Sequence, residues 1–163
     1  MRIALEEAGA ALADGDFPVG CVLVEDGRVI ARGRRINSSG EETNEVDHAE
    51  VDTLRDLLHR EPGRDLSTVT AYTTMEPCLM CYATLLLSGI RTFVWGYEDV
   101  MGGGTSLPLE RLSPLYANMR VELIPGVLRG ECLALFTNFF RQYSYWADSE
   151  LARYTLEQAE GEQ

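Results

Sequence analysis

The sequence predicts an α/β fold, a three-layer α/β/α sandwich around a five-stranded mixed sheet. Three observations predict it: an Asp-Gly hairpin between two β-rich runs, strands alternating with helices after it, and an amphipathic helix that closes the chain. With 163 residues, 45% of them hydrophobic, one folded unit can bury a substantial core.

Residues 2–13 are rich in Ala, Leu and Glu, with Ile3, Leu5, Ala8 and Leu12 spaced for one helix face; Asp14-Gly15-Asp16 ends the run. Val19–Glu25 reads as a strand, and Asp26-Gly27 turns it into a second, Arg28–Arg32. A polar loop spans residues 37–45. Asp47 is placed to cap a helix that runs to about Leu58. Thr68–Thr73 is β-branched and aromatic, hence a third strand. Pro77 opens a helix from Cys78 to Ser88, and Gly89 stops it. Ile90–Trp95 is a buried strand, and residues 101–106 form a flexible glycine-rich loop. Val121–Ile124 supplies a fifth strand with unassigned neighbours, Arg129–Trp146 a helix, and Ser149–Gln158 a last one. No repeat or internal boundary is visible, so residues 1–163 are expected to form a single domain.

Charge and composition narrow the partners. The chain carries 26 Asp and Glu against 14 Lys and Arg, a net charge of -12. Such a surface repels a polyphosphate backbone and favours a small, uncharged ligand. No apolar run approaches the roughly 18 residues of a membrane span. The acidic first residues do not resemble a secretory signal, and a cytoplasmic protein is expected. Of the four cysteines, Cys21 and Cys132 sit in apolar runs and are expected in the core.

The remaining pair carries chemistry. His48-Ala49-Glu50 precedes Pro77-Cys78-Leu79-Met80-Cys81. Zinc favours imidazole and thiolate ligands, and a catalytic zinc keeps one of its four positions open. His48, Cys78 and Cys81 supply three ligands, so one zinc per chain with a free corner is expected. Both thiols lie in the first turn of a predicted helix, where the helix dipole favours the thiolate. Glu50 lies two residues beyond His48, off the ligand face, free to take and return a proton.

His-x-Glu followed by Pro-Cys-x-x-Cys resembles the signature of the cytidine deaminase-like superfamily of zinc-dependent deaminases. The resemblance runs from about Phe17 to Phe140. It takes in Pro18–Val24, the Tyr72–Cys78 strand-to-helix turn, and the segment from Gly130 to Arg141, which is similar to the closing helix of bacterial tRNA adenosine deaminases. It implies hydrolysis of an exocyclic amine with release of ammonia, Glu50 as proton shuttle, a homodimer, and an Ala49 backbone amide on the substrate. Relatives of this type place a substrate-reading Asn two residues after the glycine that ends the second strand. Here that glycine is Gly33 and the matching residue is Arg35, with Asn37 two residues further on; either Asn37 reads the substrate after a local shift, or Arg34 or Arg35 reads something different. The stretch after Arg141 is aromatic and acidic, and Tyr143, Tyr145, Trp146 and Asp148 could close the pocket over a flat base; the alternative is ordinary helix packing.

The expected substrate contacts are Val19, Arg35, Asn37, Ala49, Glu76, Trp146 and Asp148. The leading expectation is a deaminase of a free base such as cytosine or guanine, with the tail from about 142 to 163 closing the pocket. The alternative is adenosine-to-inosine deamination in tRNA, and the glycine-rich loop at residues 102–106 resembles that of the tRNA enzymes. A third reading, from another class, is a silent zinc scaffold or dimerisation subunit, which would not require Glu50.

Overall fold

The computed structural model describes residues 1–39 and 43–161. Part of the expected polar loop, residues 40–42, lies outside the described residues. Helix α1 (Arg2–Ala13) leads into strands β1 (Gly20–Glu25) and β2 (Arg28–Arg34), then α2 (Ala49–Arg60), β3 (Thr70–Met75), α3 (Leu79–Leu87) and β4 (Thr92–Tyr97). A 3-10 turn (Leu109–Arg111) and a one-turn helix, α4 (Pro114–Ala117), precede β5 (Glu122–Ile124), α5 (Arg129–Gln142) and α6 (Glu150–Gly161).

The sheet order is β2-β1-β3-β4-β5. β1 runs antiparallel to β2 and β3, whereas β4 runs parallel to β3 and β5. The fifth strand thus lies beside β4 as a short exposed edge. Asp26 and Gly27 both have positive φ, 49° and 74°, the geometry that matches a two-residue turn to the twist of its strands.

The hairpin register shows how helices cover both faces. Gly20 pairs with Arg34, and Cys21 with Gly33. Adjacent residues on a strand face opposite ways. A Cβ on Gly20 would lie 2.1 Å from the Ala4 carbonyl of α1, and one on Gly33 would lie 2.5 Å from the Thr53 hydroxyl of α2. Only glycine lets the two helices come this close, α1 above and α2 below. α1 adds a polar clamp: Glu7, buried, pairs with Arg32 at 2.8 Å. α5 packs on β4, α1 and α6, while α3 packs beside α2. These are the three expected layers.

Between them lie Leu23, Tyr82, Leu85, Ile90, Phe93 and Phe136, all essentially inaccessible. Cys21 and Cys132 are fully buried with them, as expected. Among the described residues, no helix is long and apolar enough to cross a membrane.

Several boundaries differ from the sequence reading. Asp47 does not cap α2. His48 holds the cap position, and the Asp47 carboxylate instead accepts hydrogen bonds from the amides of Asn37 (2.8 Å) and Asn44 (2.6 Å). α5 stops at Gln142 rather than Trp146, because Tyr143 adopts an extended conformation and Trp146 a positive φ of 52°. The 3-10 turn and α4 were not anticipated: each is too short to show a helical period.

Candidate active site

Two helix starts converge at the carboxyl ends of the paired strands β3 and β4. His48, with extended φ and ψ, caps α2; Cys78, also extended, caps α3, and Cys81 is the third residue of that helix. Pro77 holds the chain at the end of β3 and cannot continue the strand ladder. The His48 Nδ1 atom lies 3.6 Å from the Cys78 Sγ and 3.4 Å from the Cys81 Sγ. All three ligand atoms lie within 4.8 Å of one another. Zinc bonds of ordinary length at the tetrahedral angle put nitrogen and sulfur about 3.5 Å apart. The donor set and its spacing fit zinc.

The local electrostatics favour the thiolate at Cys78. The Cys78 thiol is drawn down to about 4, first by a hydrogen bond from Cys81, while that same bond and burial push Cys81 upward. The hydrogen bond with Cys78 also raises His48. Glu50, only 3% exposed, has its carboxyl raised by burial, and its Oε2 finds no partner among the described residues. A buried, unpartnered carboxylate oxygen beside a metal-ligand set is poised for proton transfer rather than for structure.

The loop after β4 buttresses Cys78. Gly103 pairs with Cys78 in an isolated β-bridge, and the Gly104 amide donates to the Pro77 carbonyl at 2.9 Å. Glu76 accepts from the Thr105 amide and hydroxyl, and Asp99 accepts from the amides of Met101 (3.0 Å) and Gly102 (2.8 Å). The loop expected to be flexible is instead held by these bonds.

A pocket of about 100 Å³ opens beside the three ligands. Of the residues predicted from sequence, His48, Glu50, Cys78, Val19, Arg35, Ala49, Glu76 and Trp146 line it, and Cys81 lies buried behind Cys78. Asn37 and Asp148 are not among the lining residues. Asn37 is exposed, with φ at 55°, and spends its amide on Asp47; Asp148 is exposed in the segment between α5 and α6. Between Arg35 and Asn37, the pocket takes Arg35. Tyr143 does not line the pocket; half-buried, it packs against the core and stacks on Phe139, ring centroids 5.0 Å apart. Tyr145 lines the pocket and stacks on Trp146, ring centroids 5.2 Å apart and nearly parallel at 7°. Phe17, Glu45, Asp99 and Leu151 also line it and were not anticipated. Phe17 carried a weak signal, an aromatic beside Pro18 at the hairpin entry; the others carried none.

The model of the cytidine and deoxycytidylate deaminase zinc-binding region matches residues 1–97, which include every ligand just described. The chain belongs to this deaminase family. Like the family's other members, it is a zinc-dependent hydrolytic deaminase. Named relatives are tRNA-specific adenosine deaminases. That of Streptococcus pyogenes is 32% identical over 87% of this chain and 88% of its own length. That of Haemophilus influenzae is 36% identical over 87% of this chain and 82% of its own length. Among solved structures, one from studies of A-to-I editing at the wobble position of transfer RNA is 30% identical, with a TM-score of 0.69 over 83% of this chain and 96% of its own. The guanine deaminase of Nitrosomonas europaea, 21% identical with a TM-score of 0.66 over 83% of this chain and 80% of its own, shares the deaminase fold.

Proposed function

We propose that this deaminase converts adenosine to inosine in tRNA. What carries the reading is the near-full-length likeness to tRNA-specific adenosine deaminases, 32% and 36% identical over 87% of this chain. It displaces the free-base deamination that the acidic composition favoured.

His48, Cys78 and Cys81 hold the zinc. Bound there, zinc lowers the pKa of a water toward neutrality and so supplies a nucleophile. Glu50 accepts a proton from the attacking water and delivers it to the ring nitrogen next to the amine-bearing carbon. It then relays the second proton of that water to the departing amine. The oxygen remains as the new carbonyl, and ammonia leaves. Burial raises the Glu50 carboxyl, which brings its acid and base forms closer in energy. Phe17, Tyr145 and Trp146 offer flat walls to a base.

One observation favours a free base as the second reading: the strap after α5 reaches the pocket and brings Tyr145 and Trp146 to its lining, on a chain with a net charge of -12. The deciding assay measures ammonia release and inosine formation on an anticodon stem-loop beside free adenine, cytosine, guanine and their nucleosides. Inosine in the stem-loop is expected, with affinity falling steeply as salt rises. Turnover of a free base with an inert stem-loop would overturn the proposal.

Exposed Leu79, next to Cys78, and exposed Leu87, at the far end of α3, suit the homodimer that the family resemblance implies. Sedimentation equilibrium would show twice the chain mass; a monomer at micromolar concentration would sink that assignment.

A further inference from the structure

We propose that the strap between α5 and α6 carries a second base site, in which the indole of Trp146 stacks the base next to the one that reacts. That the ligand is an RNA loop rests on the tRNA adenosine reading.

The pocket has room for one ring system. Its volume is about 100 Å³, against the roughly 300 Å³ at which pockets for drug-sized ligands begin. Phe17, Val19 and Ala49 in its lining are buried, so the reacting base sits inside, next to His48 and Glu50. Trp146 lines the same pocket but is 44% exposed, which puts it at the mouth. A loop nucleotide that inserts its base brings its neighbour, joined through sugar and phosphate, to that mouth.

Trp146 is held as a platform. Its indole lies nearly parallel to the Tyr145 ring, and Tyr145 is backed in turn by Phe17 at 5.9 Å and Phe139 at 6.1 Å. Tyr145 covers one face of the indole. Phe17 approaches Trp146 only at a tilt, 6.5 Å and 47°, and among the described residues no other ring or cation stacks on it. The backbone there has a positive φ of 52°, rare for so bulky a side chain. A turn fixes it: the Ala147 amide donates to the Ser144 carbonyl at 3.1 Å, and the Ser149 amide to the Trp146 carbonyl at 2.9 Å. Burying an indole would stabilise the fold more than exposing it. The chain instead keeps it open at the mouth in a strained conformation, as residues that clamp ligands often are.

The surroundings select a base face over a phosphate. Ile36, Val46, Val100 and Met101 are exposed, and each is the chain neighbour of a residue that lines the pocket. An apolar rim on a chain with a net charge of -12 marks a ligand surface. The strap, residues 142–149, contains no Lys or Arg, and Asp148 and the following Glu150 are acidic. It therefore offers a phosphate no cation. What it offers is an aromatic face, which any nucleobase can stack on.

The test uses anticodon stem-loops in which the nucleotide before or after the target adenosine keeps its ribose and phosphates but loses its base. On one of the two sides, this change should lower the parent's kcat/KM about fivefold or more, through KM with kcat little changed, the scale of one base stacked on an aromatic ring. Trp146→Ala should lower kcat/KM on the intact loop by a similar factor and keep about one zinc per chain. In that variant the abasic penalty on the same side should shrink to about twofold or less, because both changes remove one contact. If neither abasic loop costs the parent more than about twofold, the proposal fails, and this arm needs no variant. A zinc-loaded Trp146→Ala that keeps the parent's full abasic penalty overturns it too, with the tRNA reading left standing. Inert stem-loops beside turnover of free adenosine or a free base would sink the tRNA reading and the second base site together.

Discussion

The Tyr145 hydroxyl donates to the Glu45 carboxylate at 3.0 Å, tying together two segments 100 residues apart. Burial, first, and then this bond push Tyr145 up to about 12, so the hydroxyl remains a donor at neutral pH. The bond fastens the strap after α5 to the loop before α2 and sets the stacked Trp146 against the pocket. Tyr145→Phe should raise KM about three- to tenfold with kcat little changed, the scale of one solvent-accessible hydrogen bond. Trp146→Ala should raise KM by about tenfold or more, since base stacking on an aromatic face contributes about 1–3 kcal/mol. Steady-state kinetics read both. A KM unmoved in either variant would detach the strap from substrate binding.

Removing a single metal ligand should abolish metal binding at this site. Cys81 is fully buried, so no water can reach in easily to replace its thiolate. Cys81→Ser keeps the size of the side chain but replaces the sulfur with a hydroxyl, a far weaker zinc ligand. Metal analysis should fall from about one zinc per chain to well below it, and chelation of the parent should remove activity that added zinc restores. A full equivalent of zinc retained by Cys81→Ser would mean the metal is held elsewhere.

Glu50 separates chemistry from stability. Its Oε2 has no partner, and desolvating a carboxylate is costly, so Glu50→Gln should leave the melting temperature unchanged or raise it. Zinc content should stay at about one per chain, while kcat falls about 10²- to 10⁴-fold, the usual contribution of a positioned proton shuttle. A kcat near the parent value would remove Glu50 from the reaction.

What could be read from sequence was whatever local spacing encodes. His48, Glu50, Cys78 and Cys81 belong to two short motifs, each at a helix start, and their convergence follows once β3 and α2 are placed on one sheet. Asp26-Gly27 encodes its turn in two residues. Asp47 failed as a cap because its carboxylate meets two amides, one of them from Asn37, whose backbone conformation depends on the fold of the loop. The choice of Arg35 over Asn37 was equally hidden: the Arg35 amide prolongs the β ladder by donating to the Val19 carbonyl at 2.8 Å, and this carries the side chain to the pocket. Glu45 and Leu151 reach the site only through tertiary contacts. The end of α5 has no Gly or Pro to mark it, so its amphipathic pattern ran on into the strap.

The last prediction concerns the anchor of α6, which brings Leu151 to the pocket. Glu98, just past β4, accepts a bidentate pair from Arg129 and a hydrogen bond from the Tyr154 hydroxyl at 2.7 Å. Burial alone would raise the Glu98 carboxyl, but the bonds from Arg129 and Tyr154 outweigh it and hold the group below its ordinary value. A depressed folded-state pKa stabilises above the unfolded value of about 4.3 and loses that contribution as pH falls through the lower folded value. Glu98→Gln should therefore cost about 1–2 kcal/mol at pH 7, since the group is partly exposed and its ion pair is screened. The gap between parent and variant should hold from pH 7 down to about pH 5 and close progressively below about 4.3. Urea titrations across that range measure it. A gap that persisted undiminished at pH 3 would show that packing, and not the ionised carboxylate, holds α6 in place.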